Sequence, residues 1–452
     1  MNHCRANRST TVVANRASQR FINVAHSSAI GVDVHLDLLV CAYQYHHGNQ
    51  IITEIQEFGT GYSQIEAFAQ WCDERNPEIV IMESTGVLWL SPYEALEHHG
   101  FDAQRLALVN ARDVKAAMGR KTDREDATRL AEFGRIGRFK RSFIPPQIFR
   151  QMRIIARLYQ KAKADCSRKS SRYQKLLNAS GCRASTVFSD VVKGKAARVI
   201  LDAFISQDPN FREIVENSCR QLAASAEEII DALNFTVPPA FLEQLREERE
   251  QLDRLEEYCA RTMARLKELQ APYEPHIKVL CTIPGIKEAS ARLIFAELSD
   301  DLTVNFANSE RFASWLGICP GNHLSAGKSY SSKTPKGNKA LRRVLTECAH
   351  GIALSRKGAL NERFKAFKLR RGARRAIVAI AHKLTLIIYS CLTTGECYVE
   401  HKSSILRDTV EVRFEKARRQ REQYATNEAT ANYNPAMLQK GSKGAPAGRV
   451  TC

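Results

Sequence analysis

The 452-residue chain carries 67 Lys and Arg against 49 Asp and Glu, a formal charge of +18, with 44% hydrophobic residues. That balance predicts several globular domains rather than a disordered chain, and the basic excess points to a polyanionic partner, nucleic acid before membrane. The sequence shows no unbroken apolar run of membrane-spanning length and no apolar core of a secretory leader near its start, and its 13 cysteines form no CxxC pair, which argues against a zinc ribbon or disulfide framework and fits a reducing cytoplasm.

Residues 1–27 read as a basic disordered arm. From residue 28 to 60 the chain reads as strands: SAIGVDV, then LLVCAYQY, a HHGN turn, and QIITEIQEF with alternating character. An amphipathic helix follows over Tyr62–Arg75, with Ile65, Phe68, Ala69 and Trp71 or Cys72 on one side, stopped by Asn76-Pro77. EIVIMES is a buried strand, Leu88–His99 a helix ended by Gly100, AQRLALVN a strand, and Ala111–Ile136 a helical region. The order predicts a mixed α/β domain over 28–145.

Ile144-Pro145-Pro146 marks a boundary, and Gln147–Ala179 beyond it reads as one long basic helix. Irregular helix continues to Val237; Pro238-Pro239 breaks it, and a second long helix spans Ala240–Gln270. There Leu245, Leu252, Cys259 and Leu266 recur every seven residues, with Leu255 and Leu269 offset by three, and Glu248 and Thr262 interrupting. The seam fits an antiparallel hairpin or a dimerising coiled coil equally well. Pro272 and Pro275 mark the next boundary, giving a helical spacer over 146–272, an α-helical block over 273–402, and a charged, then disordered, tail over 403–452.

The charge is concentrated. Arg135–Arg183 holds fourteen Lys or Arg and one acid, Asp165; Lys333–Lys383 holds fifteen and two acids, Glu347 and Glu362. Two dense basic stretches predict two places where phosphate backbones are held. Arg153, Arg157 and Lys161 are candidates in the first, and Lys336, Arg342 and Arg343 in the second, with Lys328 just before it.

Four carboxylates stand out in the α/β domain. Asp33 ends the first strand in IGVDVH, and burying it is costly without a partner or a metal. Glu83 ends EIVIMES, and ligands of open α/β sheets bind at the carboxyl ends of strands. Asp123 and Asp126 in KTDREDA have the i, i+3 spacing that puts both on one helix face. Singly, each has an ordinary explanation: a strand-end turn for Asp33, an N-cap for Asp123, an Arg pair for Asp126. Together they have the layout of an RNase H-like nuclease site holding two Mg²⁺ ions, which stabilise the attacking and leaving oxygens of a phosphodiester.

In the C-terminal block, CTIPGIKEASARLIFAEL looks like a helix-hairpin-helix whose free backbone N–H groups can hold a phosphate. The following Gly/Ser/Lys-rich loop leads into a basic helix. Ser325, in LSAGK, has access beside Gly327 and cations nearby, but by chemistry alone Ser329, Ser331 and Ser332 compete with it.

IGVDVH, MESTGVLW, LVNARDVKAAMGRKTDREDA, FIPP, TIPGI, FASWLGICPGN, SAGKS, KGNKALRR and RRAIVAIAHKL, in that order from about Ser28 to Tyr398, resemble the transposases of the one-ten family of insertion sequences, in its eleven-eleven branch. The resemblance implies a RuvC-like N-terminal domain with Asp33, Glu83, Asp123 and Asp126 as its DEDD tetrad, a coiled-coil spacer, and a C-terminal transposase domain in which Ser325 attacks DNA. It also implies a structured bridge RNA that pairs with donor and target DNA, and a homo-oligomer, dimer to tetramer. The site would lie in a bacterial cytoplasm at the nucleoid, with no membrane partner. Leu36 departs from the Lys common at that position. The expected activity is excision and insertion of the chain's own element by metal-assisted serine attack; the rival is a metal-dependent junction resolvase using water.

Overall fold

The computed structural model describes residues 11–16, 24–48, 50–83, 86–110, 122–319, 323–325, 328–331 and 334–400. The expected helix over 111–121 and the tail over 403–452 lie outside them. The chain divides into two compact units at Pro145/Pro146.

The first unit is built on a mixed sheet. Its strands are β1 (Thr11–Arg16), β2 (Ser28–Val34), β3 (Leu38–His47), β4 (Gln50–Gly59), β5 (Ile79–Glu83) and β6 (Leu106–Val109), in the spatial order β1-β4-β3-β2-β5-β6. β2, β3 and β4 run antiparallel, while β5 and β6 join β2 in parallel, with Gly31 opposite Ile81 and Glu83 opposite Val109. The N-terminal arm departs from expectation. Thr11–Arg16 pairs antiparallel with β4, Thr11 opposite Ile55 and Arg16 opposite Gln50, so the free edge of β4 is covered there.

Every residue of β2 is buried, because helices cover both faces. On one face Ile30, Val32 and Val34 meet α1 (Tyr62–Arg75) and α2 (Leu90–His98) through Ile65, Phe68, Trp71, Tyr93 and Leu96. Asn76 ends α1 in the left-handed region at φ 41°, where Asn is among the more tolerant residues. On the other face lies α3 (Asp123–Ile136), through Ala127, Leu130 and Ala131. Gly31 permits this contact: a Cβ there would lie 2.2 Å from the Ala127 carbonyl oxygen and 2.3 Å from the Ala131 nitrogen. The helix therefore rests on the strand backbone, on the face that Asp33 shares by two-residue alternation.

The second unit is mostly helical. α4 (Gln147–Ala179) and α9 (Pro239–Leu269) form a long hairpin, capped by four shorter helices, α5 (Ala184–Val187), α6 (Lys195–Ser206), α7 (Phe211–Ser218) and α8 (Ala226–Leu233). Leu245, Leu252, Cys259 and Leu266 are buried, and Cys166 Sγ lies 3.9 Å from Cys259 Sγ across the two long helices. The seven-residue seam thus packs within the chain. Its interruption at Glu248 is also internal: that carboxylate, 2% exposed, receives Lys169 and Arg172 at 3.0 Å each.

Beyond the hairpin come α10 (Glu274–Cys281), α11 (Glu288–Ala296), α12 (Ser309–Leu316), the hairpin β7 (His323–Ser325) and β8 (Lys328–Ser331), and α13 (Lys339–Leu354), α14 (Ala359–Arg371) and α15 (Ala373–Thr394). α15 is long and apolar enough to cross a membrane by length and composition. Its Ala376, Ile380, Leu384 and Ile388 are nonetheless buried, and Tyr389 donates to the Phe306 carbonyl at 2.7 Å, as in the central helix of a packed core. All described cysteines are free thiols.

Candidate active site

In the first unit the acidic site forms where β2 and β5 end side by side. Asp33 is 8% exposed on the α3 face of β2, and Glu83 closes the adjacent parallel strand. Asp123 is the first residue of α3, directly after its N-cap: the cap is Thr122, whose hydroxyl accepts from the Glu125 N–H at 3.3 Å, so Asp123 is free of that duty. Arg124 ties this helix start to β4 through Glu57 at 2.8 Å. The resulting contact is close: Asp33, His35 and Asp123 offer ligand atoms all within 4.8 Å of one another. His35 Nε2 lies 3.0 Å from Asp33 Oδ2 and 3.6 Å from Asp123 Oδ1.

Burial pushes the Asp33 carboxyl above its ordinary value. The charge and hydrogen bond of His35 oppose that shift, and the charges of Glu83 and Asp123 reinforce it. Such a carboxylate, buried and facing other acids, fits a divalent cation, which would remove the repulsion and replace lost hydration. Asp126, one turn along α3, has Arg129 3.6 Å away. Asp33 and Asp123 are thus brought to the same His35, the Glu83 charge reaches Asp33, and Asp126 stands beside an arginine. His35 is the site residue that sequence reasoning passed over. The signal was present: in VDVH the His follows Asp33 by two residues, the spacing that keeps side chains on one face of an extended chain. Leu36, next to it, is 76% exposed.

In the second unit the backbone places Ser325 at the end of β7, paired with Lys328 of β8. The side chains of both, and of the competing serines, lie outside the described residues. The base of this segment is firmly held. Gly317 (φ 69°) and Gly337 are pressed together, so that a Cβ on Gly337 would lie 2.2 Å from the Leu316 carbonyl oxygen. Arg342 donates to the Pro335 carbonyl and to Thr334 Oγ1 at 3.1 Å each. Asn338 caps α13 through the Leu341 N–H and also donates to Glu297 Oε2 at 2.7 Å.

Glu297 gives two arginines of the first basic stretch a partner inside the fold. It is fully buried, accepts from Arg157 at 2.8 and 2.9 Å, and lies 3.7 Å from Arg153. Arg153 also donates to the Glu297 carbonyl at 2.6 Å, and burial lowers its guanidinium to about 10. These two arginines clamp α4 onto the C-terminal block through Glu297, Arg153 largely buried and Arg157 with about half of its side chain exposed. Others in the stretch are similarly engaged: Arg135 contacts His46, and Arg141 donates to three backbone carbonyls. Lys161 remains exposed. In the second stretch Lys336 is exposed, Arg342 pins the loop, and Arg343 pairs with Glu347 at 3.0 Å. At the TIPGI turn, Gly285 (φ 83°) lies against α13, where a Cβ would meet Ile352 at 2.6 Å. The following α11 opens on Glu288, paired with Lys267 at 2.8 Å, so a carboxylate already stands at that helix end.

Acids at the ends of adjacent parallel strands, faced by a helix-borne acid, define an RNase H-like domain suited to metal-dependent work on phosphodiesters. Two family models match the chain: a DEDD transposase domain over residues 30–180 and a transposase domain of the IS116/IS110/IS902 family over residues 277–367. Together they cover just over half of the sequence, and the chain belongs to the IS110/IS116/IS902 family of transposases. It is 28% identical over 166 residues to a Pseudomonas aeruginosa protein described as "Probable family 20 transposase", covering 36% of this chain and 48% of the relative. It is 31% identical over 121 residues to the transposase for insertion sequence element IS1111A of Coxiella burnetii, covering 26% of this chain and 33% of the relative. The matches thus span about half or less of the length of these curated relatives.

Proposed function

We propose that this protein cuts and rejoins DNA strands to excise and insert its own insertion sequence, with Ser325 as nucleophile and the acidic site as metal centre. The observation that carries the reading is the convergence of Asp33, His35 and Asp123 at the strand ends of a domain matched to DEDD transposases. Asp33, Glu83, Asp123 and Asp126 would hold two Mg²⁺ ions, with His35 as a further donor or as the group that orients Asp33. Bound there, the ions would supply polarisation of the scissile phosphate and stabilisation of the attacking and leaving oxygens.

The residues of the chain have distinct tasks in this reading. β2, β5 and α3 fix the carboxylates, and the Gly31 contact keeps α3 near enough for Asp123 to reach Asp33. The held base of the β7–β8 segment would present Ser325. Its Oγ would bond to phosphorus as the bond from phosphorus to the leaving sugar oxygen breaks; the serine proton is lost, and the sugar oxygen gains one. The phosphoserine link would conserve bond energy for rejoining. A structured bridge RNA would choose donor and target by base pairing, and several copies of the chain would assemble so that each strand meets an active site. The weak likeness to the IS1111A transposase is consistent with the eleven-eleven branch.

The test is a covalent adduct. With labelled element-end DNA, guide RNA and Mg²⁺, the wild type is expected to give a protein–DNA adduct, and Ser325→Ala to give neither adduct nor cleavage while still binding both nucleic acids. Ser329→Ala, Ser331→Ala and Ser332→Ala should each keep the adduct. Cleavage at near-normal rate by Ser325→Ala would make water the nucleophile and the protein a resolvase-like nuclease.

A further inference from the structure

α14 and α15 meet at Gly372 (φ 79°) with no intervening loop, and the bend encloses a groove of about 740 Å³. Its rim carries Arg370, Arg371, Arg374, Arg375 and Lys383, and its floor includes Phe367, Val378 and Ile380. Among the described residues, none of those five cations has a carboxylate partner, in contrast to Arg157 and Arg172 in the same unit. The four arginines are exposed. The Arg370 guanidinium lies 5.2 Å from the Phe367 ring centroid, and Val378 is 37% exposed although it lies on a helix whose other apolar residues are largely buried. All five of these cations lie beyond the matched transposase span, which ends at residue 367.

Ile318 and Thr334, which flank the segment carrying Ser325 in the chain, also line the groove.

We propose that the groove between α14 and α15 holds single-stranded DNA next to the scissile phosphate, rim arginines on its phosphates and unstacked bases on the apolar floor. Charge complementarity selects a polyanion. An apolar, aromatic floor between cations selects exposed bases over a duplex, whose bases are stacked inside. The proposal rests on the DNA-cleaving reading for its choice of DNA.

The experiment measures binding of a short fluorescent oligodeoxythymidine by anisotropy in EDTA across a salt series, with an oligouridine of equal length and a duplex as parallel arms. The full-length R370Q/R374Q/R375Q protein is expected to bind the oligodeoxythymidine at least about tenfold more weakly. Its slope of log K against log salt should fall by about 2, at roughly 0.7 for each lost single-strand contact. The duplex should change little. Val378→Glu, which keeps every arginine, should also weaken oligodeoxythymidine, and the triple Arg→Lys variant should recover most of the binding. Unchanged oligodeoxythymidine affinity in the Gln variant would overturn the proposal, as would an equal loss for duplex or a loss confined to oligouridine. Mg²⁺-dependent cleavage by the wild type is scored separately. Wild-type cleavage without the binding loss in the Gln variant removes only the groove, and the binding loss in the Gln variant together with a wild type that forms no cleaved product removes the transposase reading and leaves the groove.

Discussion

Asp33 in the first unit and Glu297 in the second are both buried carboxylates, 8% and 0% exposed. Their surroundings are opposite. Glu297 is gripped by Arg157, Arg153 and Asn338, so its charge is matched within the fold. Asp33 has one imidazole and faces two further acids, Glu83 and Asp123. Burial of a charge is expensive in both places. In the second unit the fold itself answers that cost and gains a fixed joint between α4 and the base of the Ser325 segment. In the first unit His35 answers that cost only in part, and the arrangement fits a divalent cation. A buried acid is therefore not evidence of a site by itself; the sign of the charges around it makes the distinction.

The largest expected effect falls on the structural partner. Glu297→Ala should lower stability by about 3–5 kcal/mol, because it removes the buried carboxylate that Arg153 and Arg157 share. Urea unfolding measures this, and a loss below about 1 kcal/mol would mean that the two carboxylates are not different in kind. Asp33→Asn should instead lower strand cleavage by roughly 100-fold or more, equivalent to about 2.7 kcal/mol, while the protein keeps its fold and its nucleic-acid binding. Full recombination by Asp33→Asn in Mg²⁺ would break the assignment.

Gly31→Ala links fold and site. The added methyl must displace α3 from β2 and should cost about 1–3 kcal/mol. It should also cut cleavage, since Asp123 moves with the helix; an unchanged thermal midpoint would show that the helix yields freely.

A smaller effect is the pH dependence without metal. Because burial raises the Asp33 value above the ordinary 3.8, the folded state holds a proton that the unfolded state has released in the window just above that pH. Wild-type stability should therefore fall, relative to Asp33→Asn, as pH rises through the window. Mg²⁺ should narrow the gap above it; a gap of the opposite sign would contradict the account of Asp33. The smallest effect is expected at Lys161, exposed on α4. Lys161→Gln should lower the salt slope of nucleic-acid binding by no more than about 1, whereas Arg157→Gln should act mainly on stability.

Much of the first unit was legible because its signals are local. The apolar strands SAIGVDV and EIVIMES, the period of Tyr62–Arg75, and the acids at the strand ends all follow from short-range pattern. β1 escaped notice because a short strand in a basic arm has meaning only against the free edge of β4. His35 was legible by spacing alone, but nothing local says that Asp123 will arrive beside it. In the spacer, the heptad positions named the buried seam and left its partner open. Cys166 opposite Cys259 and the cations on Glu248 identify that partner as α4 of the same chain.

The sequence by itself determined the α/β character of the first unit, the two long helices, the positions of Asp33, Glu83 and Asp123 on their elements, and the concentration of positive charge in two stretches. Only the tertiary structure decided which of those charges are available. Arg153 and Arg157 meet Glu297 across 144 and 140 residues of chain, whereas Arg370, Arg374 and Arg375 line an open groove. Periodicity reports which face of an element is apolar, and that is a property of neighbouring residues. Whether an arginine is matched depends on which carboxylate the packing of distant elements brings within hydrogen-bond reach, and no local pattern carries that distance.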